Sequence, residues 1–325
     1  MTSDQAILAA IPAELSGLVK SARLRDGVAT LIVDAGGLGR SAAAQLQREL
    51  EEAVGPLDGV TEVRVALMAE KRERPIIAVG SGKGGVGKST LTANLAVALA
   101  KAGRKVGVVD ADIYGPSQQV LLDAADQKVR AEGEMLVPVE SPHGVRLLSM
   151  GQLIEPGKAI AWRGPMTGRA LGQLIEADWD DTELLLTDLP PGTGDIQLTL
   201  LSKHKPAGAV VVSTPQDLAL IDATRAIDLF RQAQVPIIGL VENMAGYACP
   251  HCGELSDPFG AGGVEAAAQA LGVPFLGRVP LALAIRQASD AGAPPTASGA
   301  EEGAAFTAIA AKLSDWLGRR EGASA

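Results

Sequence analysis

The stretch Gly80–Asn94 reads Gly-Ser-Gly-Lys-Gly-Gly-Val-Gly-Lys-Ser-Thr-Leu-Thr-Ala-Asn and leaves little choice of fold. From Gly82 to Ser89 it satisfies the phosphate-loop pattern G-x-x-x-x-G-K-[ST]. The apolar run 75–79 before it reads as a buried strand, and 91–100 after it as a helix. Glycines let such a loop adopt positive φ and turn its backbone N–H groups, here those of Gly82, Lys83, Gly84, Gly85, Val86 and Gly87, toward phosphate oxygens. The helix N-terminus, with Thr90 in its first turn, adds partial positive charge at the same point. Lys88 is expected to reach the β- and γ-phosphates and the Ser89 hydroxyl to ligate Mg²⁺. The pattern implies a nucleoside triphosphate, with ATP and Mg²⁺ the expected pair.

Downstream the chain alternates strand and helix. Strand candidates are 76–79, 106–110, 145–150, 184–188, 209–213, 237–242 and 275–278, several of them near-continuous Val/Leu/Ile runs suited to burial on both faces. The fold class expected is α/β, a doubly wound, mostly parallel sheet, carried by residues 76–318. Residues 124–138 are polar and weakly patterned and read as an excursion. In 304–317 Phe306, Ile309, Leu313 and Leu317 share one helix face, which reads as a closing helix packed on the sheet. Gly318 is its stop signal, and 319–325 a disordered tail.

Residues 1–69 read as a separate small α+β domain. A helix-like start interrupted by Pro12 is followed by strand-like 23–25 and 28–33 about Asp26-Gly27, a helix over 41–54 and a strand over 60–67. A charged linker, 70–75, ends in Pro75.

The formal net charge of −9 argues against nucleic acid as the main partner, because a duplex-binding surface needs a basic face. Apolar runs are strand-length, well short of the ~20 residues a membrane span needs, and the first residues lack a signal-peptide pattern. No membrane partner is expected. The two cysteines fall together in Cys249-Pro250-His251-Cys252 and do not form a disulfide framework, so a reducing cytoplasmic setting is expected.

Two acidic strand ends follow the loop. Asp110-Ala111-Asp112 places two carboxylates at the end of 106–110, where one can serve Mg²⁺ through water and the other orient an attacking water. Asp188 ends the apolar run 184–188 and reads as the group that holds Mg²⁺ through its water shell. The Pro190-Pro191-Gly192-Thr193-Gly194 that follows could reorganise on γ-phosphate loss. The cysteine pair has competing readings. A structural zinc site wants four ligands, usually two such pairs. A thiol–disulfide exchanger also uses C-x-x-C, but its cysteines open a helix, whereas Gly253 and Pro258 point to an irregular loop here. Spacing alone does not choose among these readings.

Lys83 gives the loop the form G-K-G-G-V-G-K-S-T, which resembles the deviant phosphate-loop ATPases. That family includes partitioning and division-site ATPases, nitrogenase iron protein and the Mrp/ApbC-type iron–sulfur cluster carriers. The resemblance implies that Lys83 crosses to a partner's nucleotide in a homodimer. Asp188-x-Pro-Pro-Gly-x-Gly-Asp195, Val241-Glu242-Asn243-Met244, the cysteine pair, Phe259-Gly260-x-Gly262-Gly263, Ala161-Trp162-Arg163-Gly164-Pro165-Met166 and Ile285-Arg286-x-x-Ser289-Asp290-x-Gly292 resemble the Mrp/ApbC branch, over roughly 75–294. By resemblance Asp112 lies in switch I and positions the attacking water, Asp188 opens switch II, and Asn243 reads adenine. Two copies of Cys249 and Cys252 meeting across a two-fold axis would supply the four thiolates of a [4Fe–4S] cluster. The resemblance therefore implies an ATP-hydrolysing, homodimeric cluster carrier whose partners are cluster scaffold proteins and apo iron–sulfur proteins. Lys83, Lys88, Asp112 and Asp188 are its expected catalytic set. Rival readings are a MinD/ParA-like positioning ATPase and a thiol–disulfide oxidoreductase using Cys-Pro-His-Cys. A nitrogenase-type electron carrier places its cysteines elsewhere in the chain. Two departures stand out. Residues 34–39 carry no thiol where the family's N-terminal domain often has one, and Leu281-Ala282 replaces a usual aspartate.

Overall fold

The structure, a computed structural model, describes residues 3–36, 38–68, 74–133, 135–153 and 164–324. Most of the expected linker and the Ala161-Trp162-Arg163 start of one motif lie outside these residues. The chain divides after Glu73 into two compact units.

The first unit holds α1 (Ser3–Ala10), α2 (Ala13–Ser16), β1 (Val19–Arg25), β2 (Val28–Asp34), α3 (Arg40–Val54) and β3 (Glu62–Met68). Asp26 (φ 48°) and Gly27 (φ 80°) are both left-handed, as a two-residue hairpin turn between twisted strands requires. β1 starts earlier than its sequence suggests, because Val19 pairs with Val33 of β2, while β3 joins β2 in parallel. Leu31 and Val33 bury against Leu46, Leu50 and Val54 of α3 and Ile7 of α1.

The second unit opens with β4 (Ile76–Ser81), α4 (Lys88–Lys101), β5 (Val106–Asp110) and α5 (Gln118–Leu121). The excursion over 124–138 contains a small hairpin, β6 (Arg130–Glu132) and β7 (Met135–Val137). Next come β8 (Val139–Glu140), β9 (Val145–Ser149), α6 (Gly164–Ile175), β10 (Leu184–Asp188), α7 (Asp195–Thr199), β11 (Gly208–Ser213) and α8 (Asp217–Gln232). The chain closes with β12 (Ile237–Ala248), β13 (Leu255–Ser256), α9 (Gly263–Leu271), β14 (Phe275–Leu281), α10 (Leu283–Asp290), α11 (Pro295–Ser298) and α12 (Ala304–Ser324).

The main sheet runs β13-β12-β11-β4-β10-β5-β9-β8, with β14 also on β12, and every pairing is parallel except those of β13 and β8. This is the doubly wound α/β sheet expected. Successive side chains of β4 feed opposite faces. Ile77 and Val79 pack with Leu91, Leu95 and Leu99 of α4 and Phe306, Ile309 and Leu313 of α12. Ile76 and Ala78 pack with Leu171 and Leu174 of α6 and Ile227 and Phe230 of α8. Covering both faces is what makes the central strands uniformly apolar. In the second core Trp179 is fully buried and donates its Nε1–H to Leu174 O at 2.9 Å. A Cβ on Gly107 of β5 would fall 2.6 Å from that ring.

Two expectations are corrected. Gly318 does not stop the last helix, and 319–324 are helical rather than disordered. A mid-helix glycine costs only about 1 kcal/mol, and the last turns are held by several contacts. Leu317 is buried, Arg320 donates to Ala207 O at 3.3 Å and lies 5.9 Å from the centre of the Trp316 ring, and Glu321 pairs with Arg104 at 3.1 Å. The strand expected to end at Glu242 runs on to Ala248, because β14 and then β13 supply partners as far as Tyr247 and Ala248. A bulge at Met244 (φ 59°) and Gly246 (φ 79°) bends it on the way.

Candidate functional site

The phosphate loop leaves the C-terminal end of β4, between β11 and β10, where open parallel sheets bind ligands. Gly87, the N-cap of α4, has φ 81°, and a Cβ there would lie 2.0 Å from Asn243 Nδ2. Asn243 reaches the loop from β12 and donates to Val86 O at 2.7 Å. Lys88 Nζ sits 2.6 Å from Asp188 Oδ1 and donates to Ser89 Oγ at 3.2 Å. Thr92 Oγ1 adds a donor to the same carboxylate oxygen at 3.2 Å. Lys83 is half-buried on the loop and donates to Gln216 Oε1 at 3.2 Å.

Asp110 and Asp188 lie side by side on paired strands. Burial, reinforced by the Asp188 charge, pushes the Asp110 carboxyl up to about 7. Its Oδ2 accepts from the N–H groups of Ser117 (2.9 Å) and Gln118 (3.0 Å) and from Ser149 Oγ (3.0 Å), and its Oδ1 from the Asp112 N–H (3.2 Å). Asp110 is thus the anchor of the 111–118 loop. Asp112 Oδ1 accepts the N–H groups of Tyr114 (3.0 Å) and Gly115 (3.2 Å) and stands nearer the solvent edge. After Asp188 the loop is tied down by Gly192 N–H on Ser81 O at 2.9 Å and by Gln197 Nε2 on Pro190 O at 2.6 Å.

The cysteines lie in the irregular loop expected, 249–254, which joins β12 to β13 as the tip of a hairpin. Cys249 N–H donates to Glu254 O at 2.9 Å and Gly253 N–H to Cys249 O at 2.8 Å, with Gly253 at φ 72° closing the turn. Both thiols are free, Cys249 half-buried and Cys252 exposed. Hydrogen bonds from the His251 and Cys252 N–H groups, and then the Cys252 thiol, hold the Cys249 thiol below its ordinary range. Among the described residues no group of three or more His, Cys, Asp or Glu comes together as a metal site. One chain therefore offers a soft metal centre two thiolates at most. No described helix is long and apolar enough to cross a membrane.

Two residues beside the predicted set have structural roles there: Glu242, which stands in the Val241-Glu242-Asn243-Met244 motif with no role of its own assigned, and Gln118, which no motif marks. Glu242, fully buried, accepts from Gly262 N–H (3.2 Å), Val264 N–H (2.8 Å) and Arg278 Nε (2.8 Å), so it ties the start of α9 to β12, the strand that carries Asn243. A carboxylate closing the apolar run 237–241 is a hint of such a partner. Gln118 bonds both Asp188 and the α4 backbone, and nothing in its local sequence marks it.

The comparisons with known proteins bear on this arrangement. A family profile described as ParA, NUBPL iron-transfer P-loop NTPase, matches residues 72–314. The chain belongs to this family. An iron-sulfur cluster carrier protein of Pseudomonas fragi is 46% identical over 262 residues, 75% of this chain and 91% of that protein. Among solved structures, a nucleotide-binding protein of Archaeoglobus fulgidus in complex with ADP is 39% identical with a TM-score of 0.60, covering 70% of this chain and 90% of its own. The cell division ATPase MinD of Pyrococcus furiosus is 24% identical with a TM-score of 0.55, over 74% and 99% of the two chains. The MinD likeness is one of fold. The resemblance read from the motifs holds, and the chain is a nucleotide-binding P-loop NTPase of the iron–sulfur carrier family.

Proposed function

We propose that this chain is an ATP-hydrolysing iron–sulfur cluster carrier that works as a homodimer in the cytoplasm. Its cargo would be a [4Fe–4S] cluster held by Cys249 and Cys252 of two copies, received from scaffold proteins and passed to apo-proteins. The observation that carries this reading is β12, a single strand with Asn243 on the phosphate loop and Cys249 at its end. Nucleotide and thiols share one structural element.

The loop fits a metal-bound nucleotide. A Cβ on Gly87 would be strained and would crowd the Asn243 amide, α4 points its N-terminus at the site, and Ser89 Oγ, Lys88 and Asp188 converge there. Bound phosphate oxygens would compete with Asp188 for Lys88, leaving the carboxylate with Ser89 to hold Mg²⁺ and its waters. Mg²⁺ supplies neutralisation of charge on the β- and γ-oxygens. Asp112 would position the attacking water, and Lys83 would exchange Gln216 for the partner's phosphates. Electrostatic stabilisation of the transferring phosphoryl group is the main catalytic contribution expected.

The test is transfer. Anaerobically reconstituted chain, mixed with an apo [4Fe–4S] dehydratase and a ferrous chelator, should restore dehydratase activity without loss to the chelator. Cys249→Ser/Cys252→Ser should give none. Activation no faster than with free iron and sulfide, or insulin disulfide reduction by the iron-free chain, would contradict the carrier reading.

A further inference from the structure

We propose that Gln118 is a positioning residue for the Asp188 carboxylate and so sets the affinity of the nucleotide site for Mg²⁺. This rests on the nucleotide–Mg²⁺ reading of the loop and names a residue that reading does not use. The Gln118 side chain is fully buried. Its Nε2 donates to Ser89 O at 2.9 Å and to Asp188 Oδ2 at 2.9 Å, and two acceptors on one nitrogen fix which end of the amide faces them. Its backbone N–H donates to Asp110 Oδ2 at 3.0 Å. Gln118 is thereby bonded to both buried carboxylates and to the residue whose hydroxyl would ligate the metal.

The consequence for Asp188 is geometric. With Oδ2 tied to Gln118, Oδ1 is left to Lys88 and Thr92, beside Ser89. Without the amide the carboxylate could rotate, and its two oxygens would exchange roles. A second observation points the same way. Among the described residues no donor reaches Gln118 Oε1, although that atom is buried. A buried acceptor without a protein partner is costly unless a ligand or a ligand's water supplies the donor.

Gln118 also opens α5, directly after the loop anchored by Asp110. A shift of that loop when phosphate binds would be felt at the Asp188 carboxylate through the Gln118 amide, and at the Asp188 backbone through Ala111 N–H on Asp188 O at 2.9 Å.

The experiment compares the full-length parent with Gln118→Met, which keeps the length and volume but no amide, and with Gln118→Ala. Binding of mant-ADP is measured in excess EDTA and then as a function of added MgCl₂, with ATPase activity and thermal melting alongside. In EDTA the variants should bind within about twofold of the parent. The Mg²⁺ concentration for half-maximal tightening should rise roughly tenfold, the loss of one hydrogen bond to a carboxylate, and high Mg²⁺ should restore activity. An unchanged Mg²⁺ midpoint in Gln118→Met overturns the proposal. So does an equal loss of affinity with and without Mg²⁺, or loss of cooperative melting in both variants, since each makes the amide a structural tie only. A parent chain that binds mant-ADP in neither buffer would overturn the nucleotide reading as well.

Discussion

Gly87 shows how tightly single residues are specified. Its φ of 81° disfavours any side chain, and a Cβ would drive off the Asn243 amide that holds Val86. Gly87→Ala should therefore weaken nucleotide binding about five- to thirtyfold, the equivalent of 1–2 kcal/mol of left-handed strain, as read by equilibrium titration. Lys88 and Asp188 form a buried pair, with side chains 6% and 0% exposed. Lys88→Ala should destabilise the fold by about 3–5 kcal/mol in chemical denaturation, because it strands a buried carboxylate. Adding Asp188→Asn should return much of that loss without restoring activity. Lys88, Ser89 and the glycines were legible because phosphate chemistry fixes their spacing within one loop. The partnerships of Asp188 with Gln118 and of Glu242 with Arg278 were not, because they join residues far apart in the chain and obey no local period.

Elements were legible where their reason for forming is local. β5 and β10 match their apolar runs residue for residue, since a strand buried on both faces announces itself by composition. β12 outran its apolar run because hydrogen-bond partners on β13 and β14, not side-chain pattern, extend it through a bulge. The same limit applies to α12, where contacts from Ala207 and Arg104 outweigh Gly318. At α10 the N-cap is Ala282, in extended conformation (φ −132°, ψ 135°) with no side-chain cap. Ala282→Asp should add one and raise stability by about 1 kcal/mol. In β5, Gly107→Ala would force a methyl into Trp179 and Leu185 and should cost about 1–3 kcal/mol. Both values follow from urea denaturation of the intact chain.

At the scale of the whole molecule, the sheet places the phosphate loop at the strand ends and the thiols at the end of one of those same strands. The C-x-x-C spacing left zinc, exchange and cluster chemistry open, and the hairpin narrows them. Its cysteines follow a strand rather than open a helix as an exchanger's do, while the backbone N–H groups that favour the Cys249 thiolate suit exchange and metal binding alike. Because one chain supplies two thiolates, a four-thiolate cluster needs a second copy. The direct test is anaerobic native mass spectrometry of the chain after reconstitution with iron and sulfide, beside Cys249→Ser/Cys252→Ser. About four irons and four sulfides are expected on a dimer, and none on the variant. A full cluster carried by a monomer, or one retained by the variant, would contradict a cluster held by the thiolates of two copies.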